Sequence, residues 1–332
     1  MKIINSSVSI KQNGYTLKDI YQSIEEAGRV SYASVGTQYF RIPKTENVDL
    51  LKANPSILVR EAPFFDKNYY VSIPHKLVNL FPELSNYTEE KLSDSSLYEN
   101  RTAEEFCNMI KKNGHLSVFE FGTVYLMIDC SEKLLDVTNK YMHNKYSKWA
   151  LHEDGKHYCI TTNMRVIVEN GYESDLKYLC EPTKYHEKRM TAEFICSRAI
   201  ANEIVRHRVM SFIQESQRYC AYNSDKFENS VKFIKPTWIN DLDKPYSKML
   251  DSTRCWYRNM KTCELHYFKL LNAGIKPQFA RGVLSNDTAT KIYVCGFESD
   301  WNHFFDLRCS QRAHPDLKIL ADNLKQQFNC GV

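Results

Sequence analysis

The sequence predicts a globular protein with interleaved helices and strands, and three observations predict it. Hydrophobic residues make up 43% and aromatic residues 13% of the 332, with 21 Tyr and 17 Phe, enough to fill one large core or two ordinary ones. Several stretches repeat apolar residues at helical spacing and either stop at glycine or open at proline. Between them lie short apolar runs rich in β-branched and aromatic residues.

In chain order, TLKDIYQSIEEAG (16–28) reads as a first helix with Gly28 as its stop, and RVSY leads out of it. TAEEFCNMIKKNGH opens on a capping-box pattern from Thr102 to Glu105 and ends at Gly114, after which VFEFGTVYLMID reads as a strand. His115 and Ser117 then fall in a connecting loop, where functional side chains are often displayed. The segment from Cys130 to about Lys188 is more charged and Tyr-rich and is read as an insertion at about 131–188, with KHYCITTNMRVIVENG fitting helix or strand. MTAEFIC reads as a strand, Ser197 as an N-cap, and RAIANEIVRHR as a helix placing Asn202 and Arg206, and Glu203 and His207, one turn apart. YSKMLDSTRCWYRNMKTCELHYFKLLNAG is a long amphipathic helix ending at Gly274, and Pro277 opens the next, which carries Arg281. TATKIYVCGF is a strand, Ser299 caps WNHFFDLR, and Pro315 opens PDLKILADNLKQQF. No repeat or linker divides the chain, which is read as a single domain over 1–332.

The formal charge of +4, from 44 basic and 40 acidic residues, is too balanced for the broad electrostatic footprint of a nonspecific nucleic-acid binder, so any anion site must be local. No run of about 18 apolar residues occurs, and MKIINSSVSIKQNG lacks the apolar core of a signal peptide, so the expectation is a cytoplasmic protein without a membrane span. The 11 Cys are an odd number in a long chain with no CxxC pair, which argues for reduced thiols and against a metal site. None of the 11 Gly forms GxGxxG or a P-loop, so side chains would have to hold the phosphates of a bound nucleotide.

Charge concentrates in RHRVMSFIQESQRY, Arg206 to Tyr219. Cations at a helix C-terminus gain roughly 0.3 to 1 kcal/mol each from the macrodipole, which accounts for part of the cluster as a solvated helix end. The QESQRY portion adds hydroxyl, amide and guanidinium groups suited to an anion. A rival reading from another class is an RNA- or single-strand-binding module gripping phosphates with RHR and QRY, which would need a basic face spread over several elements. Taken singly, Ser216 reads as a turn hydroxyl, His115 as a helix C-cap, Cys220 and Cys309 as buried thiols, and Phe119, Phe121 and Tyr125 as strand core.

RHRVMSFIQES has the form RHR, seven residues, then Ser, and GRVSY, GHLSVFEFGTVYLMI, FARGVL and FFDLR accompany it. In these stretches the chain resembles the flavin-dependent thymidylate synthases. The resemblance implies an α+β fold, a twisted, mainly antiparallel sheet with flanking helices, assembled as a homotetramer with shared active sites. It implies methylation of deoxyuridine monophosphate to thymidylate, with methylenetetrahydrofolate as carbon donor, FAD as redox carrier and NADPH as reductant. By position, Arg206, His207 and Arg208 would lie along the FAD, with Ser31, His115, Ser117, Gln214, Ser299 and His303 also assigned there. Glu203, Arg206, Gln214, Glu215, Ser216, Gln217, Arg218, Arg281 and Arg308 would bind the nucleotide. Ser216 and Arg218 would hold its phosphate, and Arg281 would complete that site from another subunit. Arg308, the catalytic assignment, would contact the uracil and favour its N3-deprotonated form; a guanidinium in a site drier than water stabilises such charge. The chain departs from the usual pattern at Ile213 and Gln214, where Asn and Glu are common, and at Glu203, where Gln is common. Glu203 is conjectured to return the carboxylate missing at Gln214. Phe297, Glu298, Ser299 and His303 replace the Arg and Asn residues typical of FAD contacts. A related pyrimidine C5-modifying flavoenzyme is the nearest alternative.

Overall fold

A computed structural model describes residues 1–11, 14–32, 38–43, 58–61, 68–72, 98–100, 102–130, 136–218, 220–223 and 227–330. The chain divides into two compact units, Met1–Ser34 with Ile110–Val332, and Val35–Met109. The smaller contains an antiparallel sheet of β3 (Gln38–Pro43), β4 (Leu58–Glu61), β5 (Asn68–Ser72) and β6 (Tyr98–Asn100), in the order β4-β5-β3-β6.

In the larger unit, β1 (Lys2–Ile4), β2 (Ser7–Lys11) and α1 (Leu17–Tyr32) come first. Thr16 caps α1 reciprocally with Asp19, and the helix runs through RVSY, past Gly28, because Ala27, Gly28 and Val30 are buried while Arg29 pairs with Glu25 one turn back. The helix α2 (Ala103–Lys112) has the capping box read from the sequence: Thr102 N–H donates to Glu105 and Glu105 N–H to Thr102 Oγ1. A 3-10 helix over Leu116–Phe121 follows, so Phe119 and Phe121 are buried there, whereas the predicted strand starts only at Thr123. Gly122 makes the change, since a Cβ there would lie 2.7 Å from Ile24 of α1.

Next come β7 (Thr123–Asp129), β8 (Lys148–Leu151) and β9 (His157–Asn163), an antiparallel sheet in the order β7-β9-β8. KHYCITTNMRVIVENG, legible either way, is both: β9 ends at Asn163, whose side chain caps α3 (Met164–Glu169) by accepting from Val166 N–H.

The sheet that organises the site is built from β10 (Arg189–Ser197), β11 (Ser211–Gln214) and β13 (Ala289–Phe297) with β2, all antiparallel in the order β11-β13-β10-β2. The short β12 (Lys232–Ile234) pairs with β1 in parallel. The fold is thus α+β, with antiparallel pairing divided among separate sheets instead of one. Strand alternation sends Ile292 and Val294 to one face and Tyr293 and Cys295 to the other. The first face meets α4 (Arg198–Ile204), α7 (Glu298–Arg308) and α8 (Pro315–Asn329) through Ile200, Trp301, Phe304, Leu317 and Leu320; the second meets α1 through Ala27 and Val30. A separate core under α5 (Asp251–Asn272) holds Tyr222, Phe233, Trp256, Met260 and Tyr267, and α6 (Pro277–Ala280) leads into a 3-10 turn over Arg281–Val283.

Two expectations change. Ser197 caps α4 as read, but α4 stops at Ile204, so the RHR cluster lies beyond the helix in turns. The carbonyl of Glu203, which a continuing helix would offer to the N–H of His207, accepts from Arg308 Nη2, and residues 211–214 are taken up by β13. Ser299 is not the cap of α7: Asp300 accepts from Phe297 N–H at the helix start, while Ser299, already helical, donates through its backbone N–H and hydroxyl to Glu187.

Candidate functional site

Two groups of side chains gather at the ends of β11 and the helices beside it. The first is built on Arg308, the last residue of α7. Its Nε donates to His207 Nε2 at 3.0 Å, Nη1 to the Glu203 carboxylate at 3.1 Å and Nη2 to the Glu203 carbonyl at 2.9 Å. Because Nε2 accepts, His207 carries its proton on Nδ1 and is neutral. Its ring lies 4.9 Å from Phe304 and 6.1 Å from His303. Burial above all, then the charges of Arg308 and His303, lowers the His207 pKa to about 4. Arg206 and Arg208 are exposed on either side, and Val205, Val209 and Leu307 expose apolar surface beside them.

The second group starts where α1 ends. The carbonyl of Ser31 accepts from Ser216 N–H at 3.0 Å, satisfying a carbonyl left over by the helix and joining GRVSY to the segment after β11. Ser216 Oγ accepts from Arg218 N–H, the turn-hydroxyl role, and Gln217 is buried with its side chain at the Tyr222 hydroxyl. Tyr219 lies outside the described residues. Gln214 donates to Thr290 Oγ1, and Arg198 reaches Thr290 Oγ1 and the Glu215 carbonyl at 3.4 Å each. Burial lowers the Arg198 pKa, and the charge of Arg281 acts in the same direction. Beside Glu215 a cleft of 480 Å³ is lined by Lys11, Glu26, Arg29, Val30, Lys291 and Tyr293. Glu193 bridges Lys11 at 3.4 Å and Lys291 at 3.2 Å nearby.

The structure therefore brings together Glu203, His207, His303 and Arg308, and separately Ser31, Gln214, Glu215, Ser216, Gln217 and Arg218, with Arg198 at the Glu215 carbonyl. The Glu203 carboxylate accepts from Arg308, while Gln214 donates to Thr290 Oγ1. Ser299 is engaged by Glu187. His115 and Ser117 are exposed at the start of the 3-10 helix. Arg198 is the residue that sequence reasoning missed. Its signal was visible: a cation in the first turn of a helix is disfavoured by the macrodipole and suggests another purpose. Cys220 is buried, and burial followed by Asp322 raises the Cys309 thiol to about 11, so neither is poised as a thiolate.

The His207 geometry sets an acid limit on stability. The native imidazole protonates near pH 4, whereas an unfolded one does so at its ordinary 6.5, so unfolding takes up a proton within that window. Stability is expected to be unaffected above pH 6.5 and to fall as pH drops to about 4, by roughly 3 kcal/mol at most from His207. Buried His186, also lowered by desolvation, adds in the same direction. Thermal midpoints between pH 7 and 4.5 measure the slope, and His207→Gln is expected to flatten it. An unchanged slope in that variant would remove His207 as its source.

A family model described as thymidylate synthase complementing protein matches residues 185–330. The match covers less than half of the chain. The matched residues contain RHRVMSFIQES, FARGVL and FFDLR, whereas GRVSY and GHLSVFEFGTVYLMI precede them. Among relatives, a flavin-dependent thymidylate synthase of Geobacter sulfurreducens is 34% identical over 125 residues, 38% of this chain and 49% of that protein. One of Synechocystis is 31% identical over 137 residues, 40% of this chain and 62% of that protein, and one of Pyrococcus furiosus is 31% identical over 133 residues, 40% and 51%. The chain thus spans about half to three fifths of these relatives. A UMP/dUMP methylase from Streptomyces cacaoi bound with 5-Br dUMP overlaps 43% of this chain and 66% of that chain, with 22% identity and a TM-score of 0.35. Within the matched residues lie α4, the RHR turns, β11, α6, β13, α7 and α8, hence Arg308 with both its partners. Among the described residues, no helix is long and apolar enough to cross a membrane, and no group of His, Cys, Asp and Glu could hold a metal ion.

Proposed function

We propose that the protein is a flavin-dependent thymidylate synthase, methylating deoxyuridine monophosphate at C5 with methylenetetrahydrofolate as carbon donor, FAD as redox carrier and NADPH as reductant. The observation that carries this reading is Arg308, a fixed guanidinium at a half-buried position with donors left over for a ligand, inside the region that matches the family. Relatives that match 38% and 40% of the chain are named flavin-dependent thymidylate synthases.

The residues present fit the groups required. The exposed apolar surface of Val205, Val209 and Leu307 suits a planar ring, and Arg206 and Arg208 flank it with charge for a pyrophosphate. The flavin supplies hydride chemistry that no side chain can perform. His207, held neutral, adds no further positive charge there and orients Arg308. The turn from Glu215 to Arg218 supplies a nucleotide phosphate with the Ser216 hydroxyl and the Arg218 guanidinium, Arg198 brings another cation to the Glu215 carbonyl, and Arg281 completes the site from another subunit. Arg308 donates to the base and stabilises charge that develops on its ring as C5 becomes nucleophilic. The active form in this reading is a cytoplasmic homotetramer.

The test is direct. The purified protein is expected to be yellow with a flavin spectrum, to oxidise NADPH, to form thymidylate from deoxyuridine monophosphate and methylenetetrahydrofolate, and to sediment as a tetramer. A colourless protein whose fluorescence and melting temperature ignore added FAD would overturn the assignment, and a fully active monomer would remove the tetramer.

A further inference from the structure

We infer that Glu203 is a positioning residue for Arg308, a claim that rests on the nucleotide-binding role proposed for that guanidinium. An arginine at the end of a helix has a long, flexible side chain and loses much rotamer freedom when it is fixed. Here the fixing is internal. Three of the five N–H donors of Arg308 are taken, one by His207 Nε2 and two by Glu203, through its carboxylate and its own carbonyl. Glu203 therefore grips both terminal nitrogens at once, and one N–H on each remains for a ligand.

The arrangement depends on the local fold. Because α4 ends at Ile204, the Glu203 carbonyl is not taken by the His207 N–H and accepts instead from Arg206 N–H at 3.3 Å and from Arg308 Nη2 at 2.9 Å, so the same helix end that exposes the RHR turns leaves room for the second contact. A stability role is a poor explanation: the Glu203 side chain is 37% exposed against 19% for Arg308, and ion pairs so open to water contribute little to folding. What the pair changes is direction. A donor must be aimed before the reaction, and a misplacement of about 1 Å can cost on the order of a hundredfold in rate.

If positioning is the role, the acceptor matters more than the charge. Glu203→Gln keeps an oxygen that can accept from Nη1, whereas Glu203→Ala leaves only the carbonyl and His207. In the resting full-length protein, nitrogen-15 spectra are expected to show the Arg308 Nε–H exchanging slowly and the guanidinium rotating slowly in the wild type and in Glu203→Gln, and both protections lost in Glu203→Ala. In single-turnover thymidylate formation, Glu203→Ala is expected to fall about tenfold to a hundredfold, with nucleotide affinity within about threefold and an unchanged melting temperature, and Glu203→Gln to stay within about fivefold of wild type. Fast averaging of the wild-type guanidinium would overturn the inference. So would a Glu203→Gln variant as slow as Glu203→Ala, or a Glu203→Ala variant as fast as wild type. Should the wild type form no thymidylate while the spectra behave as expected, the proposed function fails and the positioning of Arg308 stands.

Discussion

Arg308→Ala is expected to lower single-turnover thymidylate formation at saturating nucleotide by roughly a hundredfold to a thousandfold, the effect of removing one charge-directed donor, about 2.7 to 4 kcal/mol. The contact strengthens as charge develops on the ring, so turnover should suffer more than nucleotide binding. Arg308→Lys should recover little, because an ammonium cannot reach His207 and both oxygens of Glu203 together as the planar fork does. Loss of the guanidinium also relieves one of the causes that hold the His207 pKa down, so its titration should move up toward the ordinary value in the Ala variant. Arg218→Ala, by contrast, should mainly raise the nucleotide dissociation constant. An Arg308→Ala protein that binds poorly yet turns over normally at saturation would make Arg308 an anchor only.

Trp301→Ala should have the largest effect on folding. Trp301 is fully buried on α7, packs its ring 5.4 Å from Phe304 and 5.5 Å from Phe328, and donates Nε1–H to the Met190 carbonyl of β10 at 3.1 Å. Truncation removes that packing and leaves a cavity, a loss of about 3 to 5 kcal/mol, which is a large part of the 5 to 15 kcal/mol that typically holds a domain together. Trp301→Phe keeps most of the volume and loses the hydrogen bond, so about 1 to 3 kcal/mol is expected. Urea unfolding measures both, and a loss below about 1 kcal/mol for the Ala variant would show that α7 does not depend on this contact. Activity should fall with stability, because α7 is the element that carries Arg308 to Glu203.

The elements with strong local signals were legible in order. Thr102 with Glu105, Ser197 before α4, Gly274 after α5 and Pro315 at the start of α8 each satisfy or remove a terminal backbone group within a few residues, so they act without help from distant chain. The same locality explains the errors. RAIANEIVRHR has helical spacing to its end, but pairing of 211–214 with β13 and the pull of Arg308 on the Glu203 carbonyl end α4 early, and both partners lie far along the chain. Ser299 is a good cap by type, yet Glu187 occupies its hydroxyl.

For the candidate site, the sequence by itself determined which residues are suited to anion and ring binding, because RHR, QESQR, Arg281 and Arg308 have chemistry that burial alone would not require. Only the tertiary structure decided how they combine. Arg308 and His207 are 101 positions apart and meet at 3.0 Å, Ser31 and Ser216 meet through backbone, and Arg198, with no signal beyond its awkward place at a helix start, reaches the Glu215 carbonyl. Side-chain chemistry is a local property of the chain. Distance between side chains is set by strand register and by the packing of α1 and α7 on opposite faces of one sheet, which no stretch of sequence contains alone.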